Sequence, residues 1–351
     1  MEVNYIIVGQ GLCGTFLSWQ LMQAGKSVLV IDEWKPATAT KLASGVINPV
    51  TGRRIVRTWE IEKIMPFAVN AYNELGKALD LDLIKQCNML DFHASPQMRK
   101  AFEDRLPIEQ TFLRIPKEVD QWRKYFAAPF GIGEINPCWL IDLNGMLAGW
   151  RKKLDKANSL LDEYFEIKNC KIFTDHVVYQ NIRAEKIFFC DGIANINQPL
   201  FNRLPYAPNK GEVIIAEIPL LPANNIYKQG ISIVPWKEGL FWIGSTYNWQ
   251  YENLEPTTAF REKVEQQLSH WLRLPYTIMD HIVAERPANV ERRPFVGLHP
   301  QYASVGILNG MGTKGCSLAP YFATELKDHV LKAAEINPLA DIQRFQNILI
   351  K

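Results

Sequence analysis

The chain has 351 residues, 47% of them hydrophobic, which is enough for two domains, or for one large domain with an inserted lobe. Its 39 basic and 37 acidic side chains nearly cancel, and the basic clusters at 53–57 and 151–153 are scattered rather than built into a run, so no nucleic-acid footprint is expected. The opening residues carry an acid where a secretory signal would carry a base, no stretch of about 18 uninterrupted apolar residues occurs, and six dispersed cysteines form no C-x-x-C; a cytoplasmic protein with reduced thiols, no membrane span and no metal site is expected.

In chain order, "NYIIVG" (4–9) reads as a strand, and after a glycine turn Phe16, Leu17, Leu21 and Ala24 recur at helical spacing until "AGK" stops the helix. Strand "SVLVID" (27–32) completes a β-α-β unit. Residues 33–58 show no clear period and many turn residues, which predicts a long ordered loop of the functional kind. A helix is expected over 59–79, whereas 94–142, rich in Pro and aromatic residues, has no assignable pattern. Strands return at "KIFFCDG" (186–192), "EVIIAEI" (212–218), "GISIVPW" (230–236) and "LFWIGST" (240–246), and "KEG" between the last two reads as a hairpin with Gly239 in the turn. Phe260, Val264, Leu268 and Trp271 mark a helix over 257–272. A last strand, "SVGILN" (304–309), leads into a second glycine turn and a helix where Leu318, Phe322, Leu326 and Val330 repeat every four residues.

The pattern G-x-G-x-x-G thus occurs twice. In the first copy Gly9 suits the tight turn, Gly11 lets the main chain approach a phosphate, and Gly14 lets the helix pack on the strand, with the amides of Leu12 and Cys13 at the positive helix end. Because a second strand follows and ends in Asp32, where a carboxylate accepts from ribose hydroxyls, the copy reads as an adenine-dinucleotide site rather than a plain glycine turn. Glu33 beside Asp32 would repel a 2′-phosphate, which argues against NADP; NAD and FAD both remain open on this motif. In the second copy, Gly310, Gly312 and Gly315 are followed only by helix and tail, so no second β-α-β unit closes. Its helix start, with Thr313 and Lys314 inside the turn, suits a smaller acceptor such as the charge spread over N1 and the C2 carbonyl of a reduced flavin; the plainer alternative is a turn that only joins strand to helix.

These motifs, taken with "ASGVINP" (43–49), "KIFFCDG", "NKGEVIIAE", the hairpin "ISIVPWKEGLFWIGST", "ERPANVERRPFVG" and "NGMGTKGCSLAP" in that order, resemble the D-amino-acid-oxidase, glycine-oxidase and sarcosine-oxidase group of FAD enzymes over most of the chain. The resemblance implies an α/β fold: a Rossmann-like FAD-binding domain (1–92, 143–204, 286–351) and a discontinuous second, substrate (cap) domain on a mixed or antiparallel sheet (93–142, 205–285). It implies non-covalent FAD held by Gly9, Gly11, Leu12, Cys13, Gly14, Asp32, Glu33, Ser44, Gly45 and Val178, by Asp191 and Gly192 where relatives carry Ala-Gly, and by Gly310, Gly312, Thr313, Lys314 and Gly315. Cys316, at a helix N-terminus that favours thiolate, is not where relatives link flavin, so no covalent bond is expected.

The implied reaction is oxidation of the C–N bond of a small amine or amino acid by hydride transfer to flavin N5, with O2 or another electron acceptor closing the cycle. Arg286 falls on the family's Arg-Pro position and would grip a carboxylate, Tyr247 would bond substrate from the roof, and the Lys314 ammonium would stabilise the anionic reduced ring. Arg292 and Arg293 replace an Asp-Gly turn common in relatives, and His176 and His281 carry no motif that makes them bases. Competing readings are an FAD enzyme acting on a modified tRNA wobble uridine, a flavin-bound protein without turnover, and an NAD-linked dehydrogenase.

Overall fold

The computed structural model describes residues 1–350 apart from Arg53 and Glu238; parts of the expected 53–57 cluster and of the hairpin turn, and the terminal Lys351, lie outside the described residues. Strand Glu2–Val8 pairs in parallel with Val28–Ile31 on one side and Ile182–Phe189 on the other. Its pleat sends Tyr5 and Ile7 toward Phe16, Leu17 and Leu21 of helix Leu12–Gln23, and Ile6 and Val8 toward Phe189 and Phe201 on the opposite face. Each such fully buried side chain contributes about 1.5–3 kcal/mol, so both faces of this strand are committed to core.

Ile182–Phe189 then divides its edge. Its first half pairs antiparallel with Val177–Tyr179, and its last residues pair in parallel with Val305–Asn309, in the register Ile187 to Val305. Three parallel strands therefore end side by side at Val8, Phe189 and Asn309, which brings Gly9, Asp191 and Gly310 to one edge of the sheet. In open α/β sheets this carboxyl edge is where ligands bind.

Helix Gly315–Lys332 packs against Leu12–Gln23 and against Ile61–Leu79. Pro320 inside it has no N–H for the Cys316 carbonyl one turn back; the buried Tyr72 hydroxyl donates to that carbonyl at 3.0 Å instead, while Gln20 Nε2 donates to the Pro320 carbonyl at 3.1 Å.

A second sheet of eight strands runs in the order Thr277–Arg286, Asn209–Glu217, Leu240–Gly244, Ile231–Lys237, Ile226–Gln229, Met89–Phe92, Ile132–Ile135, Leu113–Arg114. All its neighbours are antiparallel except Ile226–Gln229 beside Met89–Phe92. Helix Thr258–Trp271 covers one face through Phe260, Val264, Leu268 and Trp271, packed on Ile214, Ile233 and Ile243. The other face presents Gly211, Val213 and Trp242 to the first sheet's open edge, and Trp242 Nε1 donates to the Leu42 carbonyl at 3.0 Å, tying the sheet to the loop at 33–58.

Several expectations are corrected. Met89–Phe92, counted with the first domain, is a strand of the second sheet. The unassigned 94–142 holds helix Pro96–Arg105, capped by Ser95, and strands Leu113–Arg114, Ile132–Ile135 and Trp139–Ile141. The loop at 33–58 contains helix Ala39–Leu42 and three two-residue strands. Helix Leu143–Lys156 and strand Thr277–Arg286 were not anticipated. Among the described residues no helix is long and apolar enough to cross a membrane, and no cluster of His, Cys, Asp and Glu could hold a metal.

Candidate active site

A crevice of about 540 Å³ runs between the carboxyl edge of the first sheet and the inner face of the second. Its first wall is the Gly9 turn. Gly9 adopts a φ of +93° and lies so near the next strand's end that a Cβ would sit 2.7 Å from the Cys190 carbonyl oxygen. A Cβ on Gly14 would stand 1.8 Å from the Gly9 carbonyl oxygen, so helix Leu12–Gln23 can start here only on glycine. Gly11 supplies no side-chain cap and the first turn has no acid; Thr40 Oγ1 accepts from the Leu12 amide at 3.3 Å, while the Cys13 amide, on the crevice wall, meets no acceptor among the described residues. The second wall repeats the arrangement: helix Gly315–Lys332 is uncapped and without an early acid, and the Thr313 and Gly315 amides are likewise free among the described residues. Two positive helix ends with unspent donors thus open into one crevice, which fits a ligand carrying phosphate at one position and delocalised negative charge at another.

Asp32 lines the crevice and also fixes its wall. Its Oδ2 accepts from the Gln10 amide at 2.9 Å, and its Oδ1 accepts from the Trp34 amide at 2.9 Å and from Arg151 Nη1 at 3.0 Å. Arg151 was not foreseen. Its guanidinium lies 4.8 Å from the Trp34 ring centre and Lys41 Nζ lies 3.5 Å from it, so two cations flank one indole beside Asp32. Burial lowers the Lys41 pKa, the Asp32 charge opposing it.

Of the sequence-predicted cofactor residues, Gly9, Gly11, Leu12, Cys13, Asp32, Glu33, Ser44, Asp191, Gly192, Gly312, Thr313 and Gly315 line the crevice. Five do not. Gly14 stands behind the turn, as its contact with Gly9 requires; Gly45, at φ +77°, packs its Cα against the Ile141 carbonyl; Gly310, at φ +72°, sits on the Phe295 ring. Val178 is paired with Lys171 and Arg183 in an edge hairpin, and Glu163, Tyr164 and Phe165 form the wall near Asp32 in its place. Lys314 points its Nζ at Asn48 Oδ1, 2.9 Å away, beneath the loop at 33–58, and burial lowers its pKa to about 8.

At Cys316 one expectation is not met. Burial pushes the Cys316 thiol up to about 12, outweighing the nearby Lys314, so the thiolate expected at this helix start does not form. Cys13 is likewise pushed up to about 12 by burial.

At the far end of the crevice Arg286 closes strand Thr277–Arg286 and folds across Gly211, where a Cβ would lie 2.0 Å from Nη2. Its Nη1 donates to Asn209 Oδ1 at 2.7 Å and to the Thr246 carbonyl at 3.1 Å, and Nη2 donates to Ser245 Oγ at 2.8 Å. Of five guanidinium donors, one on Nη2 and the one on Nε are left without a protein acceptor among the described residues. No carboxylate pairs with it there, although burial already disfavours its charge. Tyr247, 54% exposed, lays its ring 4.8 Å from the Arg286 guanidinium carbon. Between Arg286 and the glycine turns the lining is apolar: Val213, Trp242, Leu254, Ile282 and Ala284. The neighbouring Glu285 is engaged by the Tyr251 hydroxyl.

Neither histidine singled out in the sequence acts on this crevice. His281 Nε2 meets Glu212 Oε2 at 3.1 Å in a network with Thr257 on the far side of the sheet, and His176 is joined to Asp175 and stacked on Phe173. Arg293 lies over Trp59 and Arg292 takes a positive φ of 56°, so this pair builds a turn outside the lining.

Comparison with known proteins agrees with this architecture. Residues 4–329 match the DAO family, described as FAD dependent oxidoreductase. Glycine oxidase from Geobacillus kaustophilus superposes with a TM-score of 0.81 at 15% identity, covering 98% of both chains. Iminodiacetate oxidase from Chelativorans sp. BNC1 gives 0.75 at 18% identity over 97% of this chain and 98% of its own. L-proline dehydrogenase from P. horikoshii gives 0.78 at 15% identity, over 99% and 98%. The uncharacterized oxidoreductase YurR of Bacillus subtilis (strain 168) is 38% identical over 56 residues, a match spanning 16% of this chain and 15% of that protein. With the family matched over nearly its whole length, the chain belongs to the DAO family of FAD-dependent oxidoreductases.

Proposed function

We propose that the protein oxidises the C–N bond of a small α-amino acid or N-substituted amino acid with an apolar side chain, using non-covalent FAD. One observation carries this reading: a half-buried arginine with no carboxylate partner among the described residues, and two spare donors on adjacent nitrogens, opens into the crevice that both helix ends share. A carboxylate held in a bidentate fork by Nε and Nη2 would complete that set. The first glycine turn and Asp32 would hold the diphosphate and ribose, and the Thr313 and Gly315 amides would face the flavin pyrimidine. The high pKa of the Cys13 and Cys316 thiols supports non-covalent binding.

FAD, when bound, supplies the acceptor for the hydride that leaves the carbon next to nitrogen. The protein's part is to place the substrate. Arg286 fixes the carboxylate, Tyr247 narrows the opening, and Val213, Trp242, Leu254, Ile282 and Ala284 exclude water and receive the side chain. No side chain in this lining has to remove a proton from carbon, which agrees with the absence of a histidine there among the described residues.

The test is anaerobic mixing of the flavin-loaded protein with apolar amino acids, their N-methyl forms and the matching amines without a carboxylate. Bleaching of the flavin by the acids and not by the amines is expected, with the preference for the acid lost in Arg286→Met. Bleaching by none of them, or an unchanged preference in the variant, would overturn the reading. Mixing reduced enzyme with O2 and with a quinone separates oxidase from dehydrogenase.

A further inference from the structure

The geometry points to Asp191 as a proton-binding group in the cofactor crevice, one that is neutral when the nucleotide is in place, so that loading takes up a proton. This inference rests on the FAD reading above.

Asp191 follows strand Ile182–Phe189 by two residues, where the family resemblance places alanine, and it lines the crevice. Its main chain is packed on the phosphate turn: a Cβ on Gly9 would stand 2.8 Å from the Asp191 Cα. Its carboxyl is served only by amides. Asn195 Nδ2 donates to Oδ1 at 2.8 Å, and Gln198 Nε2 lies 3.5 Å from Oδ2. No Lys, Arg or His pairs with it among the described residues. The Tyr206 hydroxyl, which faces the same cluster, is spent on Asn195 Oδ1 at 2.6 Å.

The groups that pack around it bring no compensating charge. The Cys190 thiol on its own strand and the Tyr206 phenol are both held neutral, their pKa values raised chiefly by burial, and Cys13 in the first turn is up at about 12. Asn309 donates to the Gly192 carbonyl at 3.0 Å, and Pro287 approaches Gly192 from the end of the Arg286 strand. Arg286 itself is turned to Asn209, Ser245 and Thr246. Burial accordingly lifts the Asp191 carboxyl to about 7, with Asn195, the residue's own backbone N–H and Gln198 opposing the shift.

A second observation agrees. Gln198 Oε1 is buried without a partner, while its Nε2 faces the carboxyl at a long 3.5 Å. Oδ2 thus has only this one long contact, which gives the charged carboxylate little support. A diphosphate drawn to the Gly9 turn displaces the crevice water and adds negative charge beside Asp191. Both effects favour the neutral acid.

The sign of the linkage follows. With the carboxyl pKa near 7 before loading and higher after it, cofactor binding takes up a proton above about pH 7, and affinity weakens with rising pH by up to about tenfold per unit. The experiment is titration of the full chain, stripped of flavin, with FAD by calorimetry. It would run from about pH 6 to 9 in buffers of different ionisation enthalpy, which counts protons without reference to turnover. Uptake approaching one proton near pH 8 is expected, with Kd rising about tenfold or more between pH 7 and 9. In Asp191→Asn the uptake disappears and Kd stays flat. FAD binding with a flat Kd and no proton uptake in the wild type, or a variant that keeps the wild-type slope, would overturn the inference and leave the FAD reading standing; failure to bind FAD at any pH would overturn both. If Asp191→Asn does not fold, the count is repeated in Lys314→Met, whose amine also titrates near pH 8: uptake that persists there belongs to Asp191, and uptake lost there would overturn the inference.

Discussion

The two glycine turns share a spelling and differ in what their glycines are for. In the first, the demand is backbone against backbone: Gly14 lies against the Gly9 carbonyl and Gly9 against Cys190, with no side chain able to yield. In the second, a Cβ on Gly315 would meet side-chain atoms, the Cδ1 of Leu12 at 3.1 Å and the Cβ of Met311 at 3.7 Å. The first turn is also tied to Asp32 through the Gln10 amide, while the second is followed by helix and, among the described residues, by no further strand. One pattern therefore encodes a third glycine locked by backbone in the first copy and one faced by side chains in the second, while Gly9 and Gly310 hold a positive φ in both. Spacing alone does not separate them; the strand after the motif does.

The largest effect that tests this contrast belongs to Gly14→Ala. Its Cβ overlaps a carbonyl that cannot move, and a cost of about 3 kcal/mol placed on the turn lowers FAD affinity by about a hundredfold. The flavin retained per chain after purification measures it, and a fully yellow Gly14→Ala protein would end the distinction. Next, Tyr72→Phe should destabilise the flavin-free protein by about 1–3 kcal/mol in urea unfolding, because the Cys316 carbonyl freed by Pro320 loses its donor. An unchanged midpoint would mean that carbonyl is satisfied in another way.

Lys314 gives an effect that depends on pH. Its folded pKa, about 8, lies below its ordinary 10.5, so in that window the unfolded chain holds the extra proton and stability rises with pH. Lys314→Met should therefore be the more stable protein below about pH 8, with the gap closing toward pH 10; melting temperatures across that range measure it, and a gap that widens with pH would contradict the buried placement of the amine. The smallest effect is expected from Gly315→Ala, under about 1 kcal/mol with flavin retained, because Leu12 can turn aside. Flavin loss equal to that of Gly14→Ala would show the two turns to be alike after all.

The sequence was legible where a local rule governs the backbone. The β-α-β unit with Asp32 just past its second strand, the strand-turn-helix form of both glycine segments and the helix bearing Phe260, Val264, Leu268 and Trp271 were legible because pattern and partner lie within one short segment. Helix Leu143–Lys156 was also within reach, since Leu143, Met146, Leu147, Trp150 and Leu154 are spaced for it and Asp142 caps it. Strand Thr277–Arg286 was not, because its side chains are only half-buried along its length and show no alternation. Arg151 reaches Asp32 across 119 residues, which no window reveals. The direction of Lys314 was equally hidden: the turn fixes where its Cα stands, but Asn48, from a loop without period, decides where its amine goes. Val178 shows the opposite hazard, a position carried over by likeness that this chain fills with Tyr164 and Phe165.

Leu12 touching Gly315 means that the two glycine turns, far apart in sequence, meet at the crevice. The central strand at Glu2–Val8 waits for Ile182–Phe189, and that strand for Val305–Asn309, so the crevice cannot exist until all three have been made. Such long-range closure makes assembly slow, and a proteolytic fragment lacking either Glu2–Val8 or Val305–Asn309 cannot rebuild the crevice.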